Sequence, residues 1–255
     1  MSLIVLIRLN LKSHIKGILL VLSLFASPLF AQIETSQNAL VWIKAQAIIP
    51  LSNASKLTVF TELREFVFPT KTNHILLPCA DYNYDINNQW NLGAGSLYFF
   101  AANPINPFEE TEEFLHEFRT HLEASLKKDL AGSNLHQRLK FEQRWLEREP
   151  ENIFLLRLRY RFEYRRDFYS KIKTKLQWVA SLEPMWQYEN VHHHIGFDQV
   201  RSALLLRGKT GERISWEVGA MHWFQQTPIA QLYFSQGILK TAVSYHFKLK
   251  NKTKP

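Results

Sequence analysis

From residue 154 to residue 165, apolar and charged side chains alternate almost without interruption. Phe154, Leu156, Leu158, Tyr160, Phe162 and Tyr164 fall on one parity, and Leu155, Arg157, Arg159, Arg161, Glu163 and Arg165 on the other. Successive side chains of a strand point to opposite faces of a sheet, so a period of two sorts this segment into an apolar face and a charged one. A helix, turning 100° per residue, would scatter the same arginines around its circumference. The segment is therefore predicted to be a strand.

The same sorting recurs along the chain. Leu135, Leu139, Phe141 and Trp145 share a parity with two glutamines and oppose His136, Arg138, Lys140, Glu142 and Arg144. Phe114, Phe118, Leu122 and Ala124 oppose Glu113, Glu117, Arg119, His121 and Glu123, and Leu57, Val59 and Leu63 oppose Glu62 and Arg64. Leu176, Trp178, Ala180, Leu182 and Trp186 oppose Gln177, Ser181, Glu183 and Gln187, while Val200, Leu204 and Leu206 oppose Gln199, Arg201 and Arg207. The last such stretch sets Leu239, Val243, Tyr245, Phe247 and Leu249 against Lys240, Ser244, His246 and Lys248.

Eleven stretches result: 39–49, 56–67, 74–85, 90–101, 113–126, 135–148, 153–166, 174–188, 197–207, 213–225 and 238–249. Pro, Gly, Asn and Asp cluster between them, as turns require, and the class is all-β. The linkers at 102–112, 189–196 and 226–237 are long and those between them short, as loops on two sides of a sheet would alternate.

Which face is buried decides between a soluble sheet and a membrane barrel. Strands of ten or more residues exceed the five or six typical of soluble sheets and suffice to cross a tilted barrel. Carboxylates and guanidiniums also recur two residues apart on one face: Glu62/Arg64, Glu117/Arg119, Glu142/Arg144 and Glu163/Arg165. Arginine, the residue suited to bidentate pairing with a carboxylate, dominates there. Inside a closed barrel such rows would meet across a lumen while the apolar parity faces lipid. The expectation is an antiparallel transmembrane β-barrel of 10–12 strands. Twelve is favoured because bacterial single-chain barrels are even-numbered, with the ambiguity at the N-terminus. The rival is a soluble exported β-protein with its apolar face inward.

The first 31 residues support export. Arg8, Lys12 and Lys16 precede an apolar run from Gly17 to Ala26, with Pro28 and the small Ala31 after it. That is the build of a cleavable signal peptide and is too short to span a bilayer. Residues 32–255 then form a single barrel domain. Removing the segment lowers Lys plus Arg from 31 to 28 against 23 acids, so the net charge falls from +8 to about +5. This moderate excess is spread along the chain and argues against nucleic acid as a partner. Cys79 is the sole cysteine, which excludes an internal disulfide. Trp42, Trp90, Tyr98, Phe99, Phe100, Trp145, Tyr169, Trp186, Trp223 and Phe224 lie near strand ends, where interfacial girdles are expected.

These features resemble the outer-membrane barrel family labelled DUF2490. The carrying residues are Glu62-Leu-Arg64, Trp90-Asn-Leu-Gly93-Ala-Gly95, Glu117-Phe-Arg119, Gln137 to Arg144, Arg157-Leu-Arg159-Tyr160-Arg161 and Leu182-Glu183. The resemblance covers most of the chain after the leader. It implies location in the outer membrane of a Gram-negative envelope and a barrel architecture, and it transfers no catalytic residue.

Three constellations could carry chemistry. His192-His193-His194 with Asp198 nearby suits a transition metal by donor type, but consecutive loop histidines seldom converge on one ion, and a solvated loop is expected. Ser244 and His246, two apart on the polar face of the last strand, would be the nucleophile and base of a lipid-modifying enzyme. No strained G-x-S-x-G elbow accompanies them, and Gly93-Ala-Gly95-Ser96 reads as small residues at a close approach. No cofactor is expected. The third constellation is the lumen ladder itself: Glu62, Arg64, Glu117, Arg119, Glu123, Arg138, Glu142, Arg144, Arg157, Arg159, Arg161, Glu163, Arg165, Glu183 and Arg201. It would act either as a salt-bridge plug, which long inward side chains favour, or as a narrow path selecting anionic solutes. The expected partners are outer-membrane lipid and, during biogenesis, the barrel-assembly machinery, with the protein monomeric.

Overall fold

A computed structural model describes residues 34–68, 75–102, 114–147, 152–171, 174–189, 194–226 and 232–249. The predicted signal peptide (1–31), His192 and His193 lie outside them. The described residues form eleven strands: β1 (Glu34–Pro50), β2 (Ser55–Phe68), β3 (Ile75–Asp85), β4 (Trp90–Ala102), β5 (Phe114–Leu130), β6 (Ser133–Glu147), β7 (Ile153–Lys171), β8 (Thr174–Glu189), β9 (His194–Thr210), β10 (Ile214–Gln226) and β11 (Leu232–His246). Each alternating stretch of the sequence became one strand.

Each strand pairs antiparallel with the next, and β1 meets β11 to close a barrel. The count falls within the expected 10–12, one short of the favoured twelve, and the odd number has a geometric consequence. Ten reversals of direction leave β1 and β11 running the same way, so the closing pair is parallel. Two bonds mark this seam: Gln46 Nε2 donates to Ser244 Oγ (2.7 Å) and Phe247 N donates to Ile48 O (2.9 Å), with both sequence numbers rising together. The polypeptide thus enters β1 at one rim and leaves β11 at the other.

Tight connections gather at the rim where β1 ends, hereafter the turn rim. The β5–β6 and β9–β10 turns contain Gly132 (φ 70°) and Gly211 (φ 67°), the left-handed conformations that hairpin turns need. Between β3 and β4, Asn87 Oδ1 accepts the backbone N–H groups of Gln89 and Trp90 at 2.8 Å. The opposite ends of the strands make the other rim, hereafter the loop rim; the residues that join them lie almost entirely outside those described.

Parity decides what faces outward. Leu122, Leu204, Leu139, Val243, Phe162 and Leu158 all stand exposed on the outer surface. Aromatics ring that surface at two levels. Phe118 and Trp145 stack at 5.7 Å, Trp145 meets Phe154 at 5.5 Å and Phe224 stacks on Tyr233 at 5.0 Å toward the loop rim. Phe168 stacks on Trp178 at 5.6 Å, and Tyr245 meets Phe247 at 4.9 Å, toward the turn rim. Trp42, Phe99 and Trp223 depart from the girdle expectation. Trp42 and Phe99 are buried and Trp223 packs against Trp42, because their parity is that of the inner face.

Polar groups on the outer face bond across strands. Tyr160 donates to Gln137 Oε1 (2.7 Å) and Thr120 to Gln143 Oε1 (3.1 Å), which accounts for the two glutamines on an otherwise apolar parity.

Candidate functional site

The inner face carries the charge. Toward the loop rim the inner face carries an apolar cluster of Leu40, Trp42, Phe66, Met221 and Ile238, assembled across the seam. Against it lies a layer of cations over rings. The Arg64 guanidinium sits 3.6 Å from the Trp42 ring centroid, and that of Arg201 4.4 Å from Trp223 and 5.3 Å from Trp42. Glu62 anchors the layer, accepting from Trp42 Nε1 (2.6 Å) and Arg64 Nη2 (2.9 Å), with the Lys44 ammonium at 3.7 Å. Arg201 donates to Gln199 Oε1 (3.1 Å) and has no carboxylate partner among the described residues.

The next node is Glu117, 1% exposed. Both its oxygens accept from Arg119, at 2.6 Å each, and both also accept from Arg144 of the neighbouring strand β6. Arg144 reaches on to Gln187 Oε1 (2.6 Å), which Arg157 shares at 3.1 Å. Arg157 in turn forms an ion pair with Asp198 at 2.8 Å.

At mid-lumen, Arg159 bridges two buried carboxylates, giving Nη1 to Glu142 (2.7 Å) and Nη2 to Glu183 (3.0 Å). Glu183 receives two more guanidiniums, Arg138 at 2.7 Å and Arg161 at 2.9 Å. Glu123 is approached by Arg138 (3.6 Å) and Lys140 (3.9 Å). Nearer the turn rim, Glu163 pairs with Arg165 and stands 3.5 Å from Arg207, while Glu217 takes Arg207 (2.6 Å) and Lys240 (2.8 Å).

All fifteen ladder residues predicted from the sequence therefore face one lumen. Three of the four pairs two residues apart join as expected. Glu142/Arg144 does not: Arg144 turns to Glu117 and Glu142 to Arg159, each a diagonal neighbour on an adjacent strand within reach of these long side chains. Parity reasoning missed Asp198. It has the parity of outward-facing Val200, but a β-bulge between Met185 and Trp186 of β8 leaves Asp198 as the extra residue on β9 and turns it inward. Asp198 pairs with Arg157 on the inner face, while His192 and His193 lie outside the described residues. Lys44, Asp81, His121, Lys140, Glu217 and Lys240 join the network as well, and their parity was visible in the sequence.

Gly93 and Gly95 make room on β4. A Cβ on Gly93 would lie 2.7 Å from Glu123 Cγ, and one on Gly95 would lie 2.2 Å from Asp81 Oδ1 and 2.6 Å from His121 Cε1. The close approach expected there is present.

The Ser244/His246 pair named from the sequence does not bond to itself: Ser244 Oγ is engaged by Gln46, and His246 bonds Ser215 Oγ at 2.9 Å instead. Among the described residues no group of three His, Cys, Asp or Glu side chains could hold a metal.

At the turn rim the lumen opens into a polar cavity of about 340 Å³. Arg138, Arg161, Arg165 and Arg207 form its floor and Lys56, Lys127 and the Asn87–Asn91 turn its mouth.

Comparison with known families finds that the one described as "Protein of unknown function (DUF2490)" matches residues 39–233. Among solved structures the chain is similar to LpxR from Salmonella typhimurium, with 8% identity, a TM-score of 0.48 and coverage of 74% of this chain and 83% of that one. Among curated proteins nothing matches.

Proposed function

The chain belongs to the DUF2490 family, and on that premise we propose that it is an integral outer-membrane β-barrel whose lumen is closed by its own salt bridges. One observation carries the proposal: a closed sheet turns most of its charges inward and exposes large apolar side chains on the outer face of every strand. Soluble monomers rarely expose contiguous apolar patches beyond a few hundred Å². A continuous apolar belt edged by two aromatic levels fits a bilayer. Residues 1–31 serve as the export signal, so the protein isolated from envelopes begins near Gln32.

Closure follows from the same inner face. Glu117, Glu142 and Glu183 are almost fully buried, and Arg159 ties the two mid-lumen carboxylates together. A solute crossing the lumen would have to break those charge-assisted bonds in a low-dielectric surround, where they are strong. The reading is therefore a structural plug, with the anion-selective path as the alternative that conductance decides.

Envelope fractionation with gel electrophoresis before and after boiling tests the location and the barrel. The protein should remain in the outer membrane and migrate differently when unheated. Release by salt without detergent, together with no mobility shift, would show a soluble exported β-protein instead. In planar bilayers the closed lumen should give no steady conductance, and stable unitary steps with anion selectivity would establish the path.

A further inference from the structure

We infer that the cavity at the turn rim is a binding site for a compact phosphate-class oxyanion. It is enclosed on the lumen side by the salt-bridge network and opens between the turns. Six Lys and Arg side chains line it against three carboxylates. Those carboxylates already have partners: Glu163 has Arg165, Glu123 has Arg138, and Asp85 accepts from Asn91 Nδ2 at 2.8 Å. The surplus is cationic.

A gradient of exposure shows where that surplus becomes reachable. Mid-lumen Arg157 and Arg159 have side chains 5% and 11% exposed, whereas Arg161, Arg165 and Arg207 are 29%, 24% and 28% exposed. The last three, together with Arg138 (18%), are the guanidiniums of the cavity floor. Each holds a lumen carboxylate with part of its donor set. A guanidinium has five N–H donors in a planar fork, so N–H groups remain for a ligand. Such forks match the paired oxygens of phosphate. At the mouth, Lys127 forms an exposed pair with Asp129 (3.0 Å), and such a pair exchanges readily with a better anion. The carboxamides of Asn83 and Asn91 supply neutral donors beside them. A volume of about 340 Å³ admits a pyrophosphate or a small phosphomonoester. The source of the phosphate is a soluble molecule rather than a lipid headgroup, because the mouth lies inside the ring of turns and the lipid-facing side chains point the opposite way. Binding requires neither an open lumen nor a membrane, so it stands apart from the function proposed above.

The test uses the full barrel domain folded in a non-ionic maltoside, with sodium pyrophosphate as titrant in isothermal calorimetry at fixed ionic strength. We expect saturable binding with one ligand per chain. Arg161→Gln and Arg207→Gln should each weaken it about tenfold, the loss of one charge-assisted hydrogen bond. Both variants must keep the unheated gel shift. If either fails to fold, Lys56→Gln, at the mouth, should still weaken binding about threefold, one charge removed from the rim. Competition by phosphatidylglycerol added to the micelles would overturn the assignment to a soluble ligand and make a lipid headgroup the occupant. No saturable binding of either probe, unchanged affinity in the folded variants, or full displacement by chloride at equal ionic strength would each overturn the inference.

Discussion

Glu117→Gln removes one charge from the carboxylate that accepts the most hydrogen bonds among the described residues. Glu117 accepts two bonds from Arg119 at 2.6 Å each and two from Arg144, one of them at 3.0 Å. A glutamine keeps the shape and one acceptor oxygen. Its amide nitrogen, however, is a donor facing guanidinium donors, so two of the four bonds are lost. Hydrogen bonds to charged groups contribute about 1.5–3 kcal/mol each, for a gross loss of about 3–6 kcal/mol. Arg144 retains Gln187 at 2.6 Å, and Arg119 retains its place 4.9 Å from the Phe99 ring centroid, which return part of that loss. The net expectation is about 3–5 kcal/mol, the range for removing one partner of a buried pair.

The assay is reversible urea unfolding in detergent micelles, followed by tryptophan fluorescence and the unheated gel shift. A double-mutant cycle with Arg144→Gln should show coupling, the double variant losing clearly less than the sum of the singles. As a control, Glu212→Gln alters an exposed bond to Lys248 (2.5 Å) in a turn, and its midpoint should stay at the parent value. A loss below about 1 kcal/mol for Glu117→Gln, or additive behaviour in the cycle, would refute the view that this node holds the lumen shut.

Arg201→Met should change stability by less than about 1 kcal/mol, because removing a buried cation that has no carboxylate within pairing distance among the described residues offsets the lost stacking on Trp223 and Trp42; the same urea titration measures it. Gly95→Val should destabilise by about 1–3 kcal/mol, since the added atoms meet Asp81, His121 and the Ala80 carbonyl; an unchanged urea midpoint would contradict that packing. In a Cys79→Ser background, Gln46→Cys with Ser244→Cys should be joined by a short bis-thiol reagent across the parallel seam, and Gln46→Cys with Gln236→Cys should not. Efficient joining of the second pair would mean a different closure.

Much of this architecture is local and therefore readable along the chain. A strand side chain's face is set by its parity, so β7 could be sorted into lipid and lumen halves from FLLRLRYRFEYR alone, and burial follows that sorting. Strand ends were placed within a few residues for most elements, while β11 begins at Leu232 rather than 238 because Leu232 to Gly237 lack a charged residue to mark the alternation. The Glu/Arg pairs two residues apart were visible because they share a strand.

Facts that depend on two distant segments meeting are of another kind. Parity cannot count the strands that close a ring, so the even-number rule gave twelve where contact between β1 and β11 gives eleven and a parallel seam. Nor can it see a bulge, whose single extra residue reverses the face of Asp198 and supplies Arg157 with its carboxylate. It left Trp42 in a girdle, although closure brings Trp42 beside Trp223 inside the lumen. Above all, partner choice among many like charges is a matter of distance. The sequence determined that arginine and glutamate would share an interior; only the closed barrel decided that Arg144 would hold Glu117, that Arg159 would bridge Glu142 and Glu183, and that Arg161, Arg165 and Arg207 would be the ones left facing water.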